Sequence, residues 1–194
     1  MKTYDTSALI EELQAILRSQ LEQIHALRAL PMERLRERPA PERWSLAEIV
    51  QHMVLTSGHY HRELERVYAD GNNDLRFRTA YRPGQLGQWF TEGMRPKPNG
   101  AIGWKMRTLG RFEPKTLEAT DPFKEFEGIL HGFMGLLERA RTRGLEGVKV
   151  MSTLGPIIRF KVGDAFRFPI AHQERHFLQI ERTLEALNAG GSNG

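Results

Sequence analysis

Two histidines near the end of the chain, His172 and His176, stand four residues apart, and a third, His52, lies far upstream. On an α-helix, residues i and i+4 sit one above the other, so both imidazoles can address the same point in space. Three neutral imidazoles around one divalent ion leave a coordination position open, the arrangement of a catalytic site rather than a closed structural one. The competing interpretation is a pair of core-edge imidazoles, each hydrogen-bonded to a carboxylate or carbonyl. At about 100° per residue, the pair shares a stripe with Ile180, Thr183 and Leu187. Glu174, Arg175, Glu181, Arg182 and Glu185 fall on the other side. The two rings are therefore expected to face inward. Gln179 points to the same region and could hydrogen-bond a bound water or substrate, although glutamine on a helix margin is commonplace.

Upstream, His52, Thr56, His59 and Glu63 form a polar ridge at i, i+4, i+7 and i+11. Such a ridge either lines a cleft, with His52 as ligand and Thr56 or His59 close by, or is a solvated helix edge. The second interpretation suits His59 and Glu63 better. Glu48 stands one turn before His52, where a supporting hydrogen bond is conceivable. Yet Ser45-Leu-Ala-Glu48 has the spacing of a capping box, which already accounts for it. His25, His61 and His131 lack comparable company and read as surface or boundary residues.

The composition removes several chemistries. Cysteine is absent, so any metal must be held by His, Asp or Glu, and any thiol must come from a small molecule. No glycine-rich phosphate loop, zincin motif or nucleophile elbow occurs. In the His172–His176 run, Glu174 follows Gln173 and so misses the position of a zincin base. A net charge of +4, from 28 Lys and Arg against 24 Asp and Glu, argues against a dedicated nucleic-acid surface. No apolar run approaches the roughly 20 residues a bilayer requires. Met1-Lys-Thr-Tyr-Asp5 lacks the apolar core of a secretory signal, so cytoplasmic residence is the default expectation.

The elements that must position these residues are helices. Leu9, Leu13, Ile16, Leu17, Leu21, Ile24 and Leu27 predict an amphipathic helix over about 6–30, stopped at Leu30-Pro31. A second helix begins after Ser45, with Trp44 placed to pack back on its first turn, and stops near Asp70-Gly-Asn-Asn-Asp74. From about 71 to 117 periodicity disappears, apart from helical turns around Leu86–Glu92. The segment from Arg76 to Lys115 carries nine Lys and Arg residues against Asp74, Glu92 and Glu113 nearby. Asp121-Pro122 reads as an N-cap and N1 proline for a third helix ending near Gly144. The run 148–163 leans to β, as a hairpin or an extended Gly-Pro connection. A fourth helix is expected over about 167–188 with Pro169 in its first turn, followed by a fraying tail. These elements predict an all-α, single-domain protein over 1–194: a four-helix bundle with a long crossover insertion between helices 2 and 3.

Two stretches carry a family resemblance. Trp44-Ser45-Leu-Ala-Glu48-Ile-Val-Gln-His52 is one. The other runs from Leu154-Gly-Pro156 through Gly163-Asp-Ala-Phe166 to His172-Gln-Glu-Arg-His176-Phe-Leu-Gln179-Ile180. Together they resemble the signatures of the DinB/YfiT-like superfamily, and the insertion matches least well. The resemblance implies a bundle holding a divalent metal through His52, His172 and His176, with zinc or nickel foremost and iron also suited. It further implies a small-molecule substrate and thiol-dependent transfer or hydrolysis, since the superfamily includes transferases that use bacillithiol or mycothiol. Glu48, Thr56, His59 and Gln179 would surround the site. A non-catalytic bundle binding a small molecule or protein partner is the alternative. The aromatic residues of the insertion suit a homodimer.

Overall fold

The structure, a computed structural model, describes residues 2–104, 108–114, 121–155 and 157–191. A short strand, β1 (Tyr4–Asp5), leads into α1 (Thr6–Arg28), whose N-terminus is capped by the Asp5 carboxylate accepting from Ala8 N at 2.8 Å. The stripe of Leu9, Leu13, Leu17, Ile24 and Leu27 is buried, as its spacing requires. One turn of helix, α2 (Met32–Arg36), precedes α3 (Leu46–Ala69). The capping box is formed: Ser45 Oγ accepts from Glu48 N at 3.2 Å, and Glu48 Oε2 accepts from Ser45 N at 2.8 Å.

The segment 71–117 is less irregular than its sequence suggests. β2 (Ala80–Tyr81) pairs antiparallel with β1, and α4 (Gln85–Met94) follows. A single 3-10 turn covers Gly110–Phe112. α4 buries Gly87, Thr91 and Met94 at i, i+4 and i+7 and packs Phe90 against Phe160 and Phe168, while Leu86 and Trp89 are 53% and 57% exposed. Leu86, Trp89, Phe90 and Met94 do follow the helical period, but over ten residues only and with Gly87 and Gly93 among them, so that no more than isolated turns were legible. Residues 105–107 and 115–117 of this segment, with Lys105, Arg107 and Lys115, lie outside the described residues.

The third long helix, α5 (Pro122–Arg143), starts as expected, with Asp121 Oδ1 accepting from Phe123 N and Lys124 N at 3.1 Å each. Gly144 ends it at φ +89°, where a Cβ would stand 2.0 Å from the Arg76 carbonyl oxygen. Both the left-handed backbone and the close approach demand glycine there. Strands β3 (Lys149–Met151) and β4 (Arg159–Lys161) then form a hairpin, in register through Val150 and Phe160. This favours the hairpin over the extended connection; Pro156 lies outside the described residues.

The last helix, α6 (Val162–Gly191), differs most from expectation. It leaves β4 without a loop, five residues before 167, because Val162, Ala165, Phe166 and Ile170 already follow the helical period and are all buried. Pro169 is therefore the eighth residue of the helix and not part of its first turn. Lacking an N–H, it leaves the Ala165 carbonyl without its helical donor. The helix runs to Gly191, and residues 192–194 lie outside the described residues.

The protein is mostly helical, a four-helix bundle of α1, α3, α5 and α6. α3 packs against α5 and α6, and α1 packs against the same two. α4 lies against α6 and is held by a buried polar knot. Arg167, 1% exposed, donates to Asp164 Oδ1 at 3.0 Å, to the Tyr4 hydroxyl at 2.7 Å and to Gln88 Oε1 at 2.9 Å. Asp164 Oδ2 accepts from Gly84 N at 2.7 Å. Strand β1, α4 and α6 thus meet around one ion pair whose hydrogen-bonding capacity is largely used. Among the described residues, no helix is long and apolar enough to cross a membrane.

Candidate metal centre

The packing of α3 on α6 brings His52 against the His172–His176 pair. One ring nitrogen from each of the three lies within 4.8 Å of the others. Ring centroids are 4.7 Å apart for His52 and His176, 5.3 Å for His52 and His172, and 4.4 Å for the i, i+4 pair. Trp44, just before the cap of α3, packs its indole on His52 with centroids 5.2 Å apart. The residue that enters the first turn thereby also walls the cluster.

Two of the three rings have their tautomer set. His52 Nδ1 donates to the Phe112 carbonyl at 2.7 Å, so its Nε2 keeps a lone pair. His176 Nδ1 donates to Gln179 Oε1 at 2.9 Å, and its Nε2 accepts from His172 Nε2 at 3.0 Å. Holding the outer nitrogen with an oxygen acceptor orients an imidazole and raises its basicity as a ligand.

Burial also keeps the cluster uncharged. Desolvation lowers the pKa of His52, against a smaller upward pull from the Phe112 carbonyl. His176 is pushed down to about 3, first by desolvation and then by the neighbouring His52. His172 is held well below its ordinary value by desolvation, followed by His176, His52 and Arg175. Neutral imidazole is the form that ligates metals. Three neutral, convergent imidazoles, two of them buried and oriented through Nδ1 and the third half-buried, fit a divalent ion of borderline softness. They are also the residues the family resemblance singles out.

The remaining candidates separate clearly. Gln179 touches His176, and Thr56 lines the same cavity as His52 while donating to the His52 carbonyl at 2.9 Å. Glu48 faces away from the rings: besides closing the capping box it accepts from Arg38 Nε at 2.9 Å. His59 pairs through Nε2 with the Met151 carbonyl at 2.9 Å and does not line the cavity, and Glu63 pairs with Arg66. His25 is exposed beside Glu127, His131 is exposed, and His61 packs edge-on against Phe133.

The cluster opens into a cavity of about 100 Å³. α3 contributes Thr56 and Tyr60, and α6 contributes Phe168, Pro169 and Arg175. Met94, Leu109 and Phe112 come from the long insertion, and Thr153 and Leu154 from the hairpin. Arg175 corrects the sequence reading, which put it on the opposite side of the helix from the histidines. It is half-buried because α4 covers that flank of α6, and its Nη1 lies 4.0 Å from Met94 Sδ. The Phe112 carbonyl was missed as well, since a backbone acceptor supplied by a remote turn leaves no mark in residue types. Among the described residues, no Asp or Glu lines this cavity.

A model of the DinB superfamily matches residues 15–180. The chain belongs to the DinB superfamily. Its structure is similar to that of YfiT from Bacillus subtilis, reported as a probable metal-dependent hydrolase with an unusual four-helix bundle topology. That likeness has a TM-score of 0.52 at 12% identity and covers 96% of this chain and 87% of the other. At this identity the likeness shows the fold alone. No protein of curated function matches the chain in sequence. Within the DinB superfamily fold, the three histidines of this chain meet where α3 crosses α6.

Proposed function

We propose that this protein is a metal-dependent enzyme that binds a divalent ion through His52, His172 and His176 and activates a nucleophile for transfer or hydrolysis. The single observation that carries the reading is the convergence of three neutral ring nitrogens within 4.8 Å, two of them on buried rings backed by oxygen acceptors. A divalent ion held by three neutral ligands stays electropositive, and it lowers the pKa of a water or thiol bound at its open position.

The chain's own residues do the rest. Phe112 and Gln179 hold the imidazoles in orientation. Phe168, Leu109, Leu154 and Met94 form an apolar wall that keeps water away from the reacting groups. Burial pushes the Tyr60 phenol up to about 12, so it stays protonated. Its oxygen accepts from Thr153 N at 3.0 Å and lies 3.1 Å from Thr153 Oγ1, which anchors the hairpin wall to α3. No carboxylate is present in the described wall to serve as a general base, which favours a nucleophile that gives up its proton readily. A thiol does so more easily than water, and without cysteine in the chain it has to be a small molecule. Thiol-dependent transfer to a small electrophile is therefore the preferred reading, and hydrolysis the second, supported by the description of YfiT.

Metal analysis of protein purified without a histidine tag tests the site. The expected result is about one ion per chain, lost in the His172→Ala/His176→Ala variant while the helical circular dichroism persists. Metal-free wild-type protein with an intact fold would remove the proposal. Turnover of a chromogenic electrophile only when a low-molecular-weight thiol is added supports transfer, and turnover of a nitrophenyl ester without thiol supports hydrolysis. A metal-loaded protein inert in both assays would favour a non-catalytic binding bundle.

A further inference from the structure

Several arginines of this protein pair with carboxylates. Arg28 pairs with Glu127, Arg34 with Glu37, Arg95 with Glu12 and Glu174, Arg141 with Glu11 and Glu138, and Arg167 with Asp164. Arg175 is different. It is half-buried where it lines the histidine cavity, and among the described residues its one side-chain hydrogen-bond contact is the Met94 sulfur at 4.0 Å. A desolvated guanidinium without a carboxylate is an uncompensated charge, a costly arrangement unless something anionic meets it.

Arg175 also lines a second groove, of about 450 Å³, which shares His176 and Thr108 with the first cavity. This groove is lined by two further arginines, Arg43 and Arg182. Arg182 donates to a neutral acceptor, the Gly100 carbonyl, at 2.8 Å. Among the described residues, the Arg43 guanidinium makes no hydrogen bond or ion pair, the residue's one bond being from its backbone N–H to the Ala40 carbonyl at 3.0 Å. Against these three cations the described wall holds one carboxylate, the exposed Glu42. Trp44 and Ile102 add apolar wall, and Gln179 and Thr183 add neutral polar groups. Three arginines from separate positions around one concave wall, next to three neutral imidazoles, form an electropositive pocket suited to carboxylate or phosphate oxygens.

We propose that this groove, built around Arg43, Arg175 and Arg182, binds the carboxylate or phosphate end of a small anionic ligand whose reactive end lies at the histidines. The inference deepens the enzymatic reading and rests on it for the reacting end. The anion site itself requires no metal. Arg175 is the specificity-determining residue, because it belongs to both cavities and would join the two ends of one ligand. Uncharged analogues of the ligand would leave Arg175 unpaired and would bind correspondingly worse.

The test uses the full chain stripped of metal. Succinate and inorganic phosphate are titrated separately while the arginine Nε–H signals are followed by NMR, with assignments from single substitutions. The expected result is saturable shifts of Arg43, Arg175 and Arg182 together, at millimolar concentration, weakening as sodium chloride rises. Arg175→Gln and Arg43→Gln should each weaken binding about tenfold, and Arg159→Gln, at an exposed position of β4, should leave it unchanged. Saturation by one probe and not the other identifies the anion as carboxylate or phosphate. No saturable binding of either, or binding unaltered in Arg175→Gln, overturns the proposal. The metal content of Arg175→Gln, expected to remain about one ion per chain, separates failure of the anion site from failure of the metal site.

Discussion

Gln179 does for His176 what the Phe112 carbonyl does for His52: it accepts the Nδ1 proton and so points Nε2 at the cluster. A side-chain acceptor can be removed, and a backbone carbonyl cannot. Gln179→Ala is therefore expected to lower metal affinity by about 10- to 100-fold, the usual effect of losing such a support, while Gln179→Glu retains most of it. Competition titration with a chelator of known affinity measures both. The change should be confined to affinity, because Gln179 lies on the rim of α6 and is only half-buried. At this scale the sequence was informative about side chains that repeat on one helix and silent about partners from elsewhere. The i, i+4 spacing announced His172 and His176, whereas Arg175 was misplaced by a helical wheel that knows nothing of the element packed beside it.

The elements carry a different prediction. α4 docks on α6 through Gly87, where a Cβ would stand 2.3 Å from the Asp164 carboxylate. That carboxylate is fully buried and held by Gly84 and Arg167, so it has little freedom to yield. Gly87→Ala should force α4 outward and destabilise the protein by about 1–3 kcal/mol, despite alanine's better helix propensity. Thermal unfolding should register this as a fall of about 2–4 °C per kcal/mol for a chain of this size. Because Met94 ends α4 and lines the histidine cavity, the substitution should also raise the KM for substrate, unlike a surface change such as Gly71→Ala. The helix was hard to foresee because it is short, and the close approach at Gly87 that docks it leaves no apolar mark in the chain. The long helices, by contrast, were legible from their caps and stripes to within a few residues at most ends.

For the whole molecule, the buried histidines tie stability to pH. Their pKa values are lowered in the folded protein, to about 3 for His176, while in the unfolded chain they return to the ordinary value near 6.5. Between these values the unfolded state binds more protons, so acid favours unfolding. The stabilisation is complete above pH 6.5 and is lost progressively as pH falls below it. Each such histidine contributes a slope of up to about 1.4 kcal/mol per pH unit. Denaturant unfolding of the metal-stripped protein from pH 7.5 to 5 should show this loss. The slope should flatten in a His172→Gln/His176→Gln variant, and an unchanged slope would mean that other groups are responsible. A bound divalent ion should add stability at pH 7.5 according to its concentration relative to Kd, and less as protons compete for the nitrogens.

What the sequence determined by itself was periodic and local. Amphipathic stripes, the Ser45–Glu48 box, the Asp121-Pro122 start, Gly144 as a stop and the histidine spacing all act within a turn or two of the backbone, where sequence separation and spatial separation coincide. What only the tertiary structure decided was which separate elements meet. α3 and α6 must pack before His52 can join a pair more than a hundred residues away. The 3-10 turn must fold back before a carbonyl can orient it, and α4 must cover α6 before Arg175 is turned into the cavity. These contacts depend on helix faces interlocking and on a buried ion pair at Asp164 and Arg167, interactions between distant residues that leave no period in the chain.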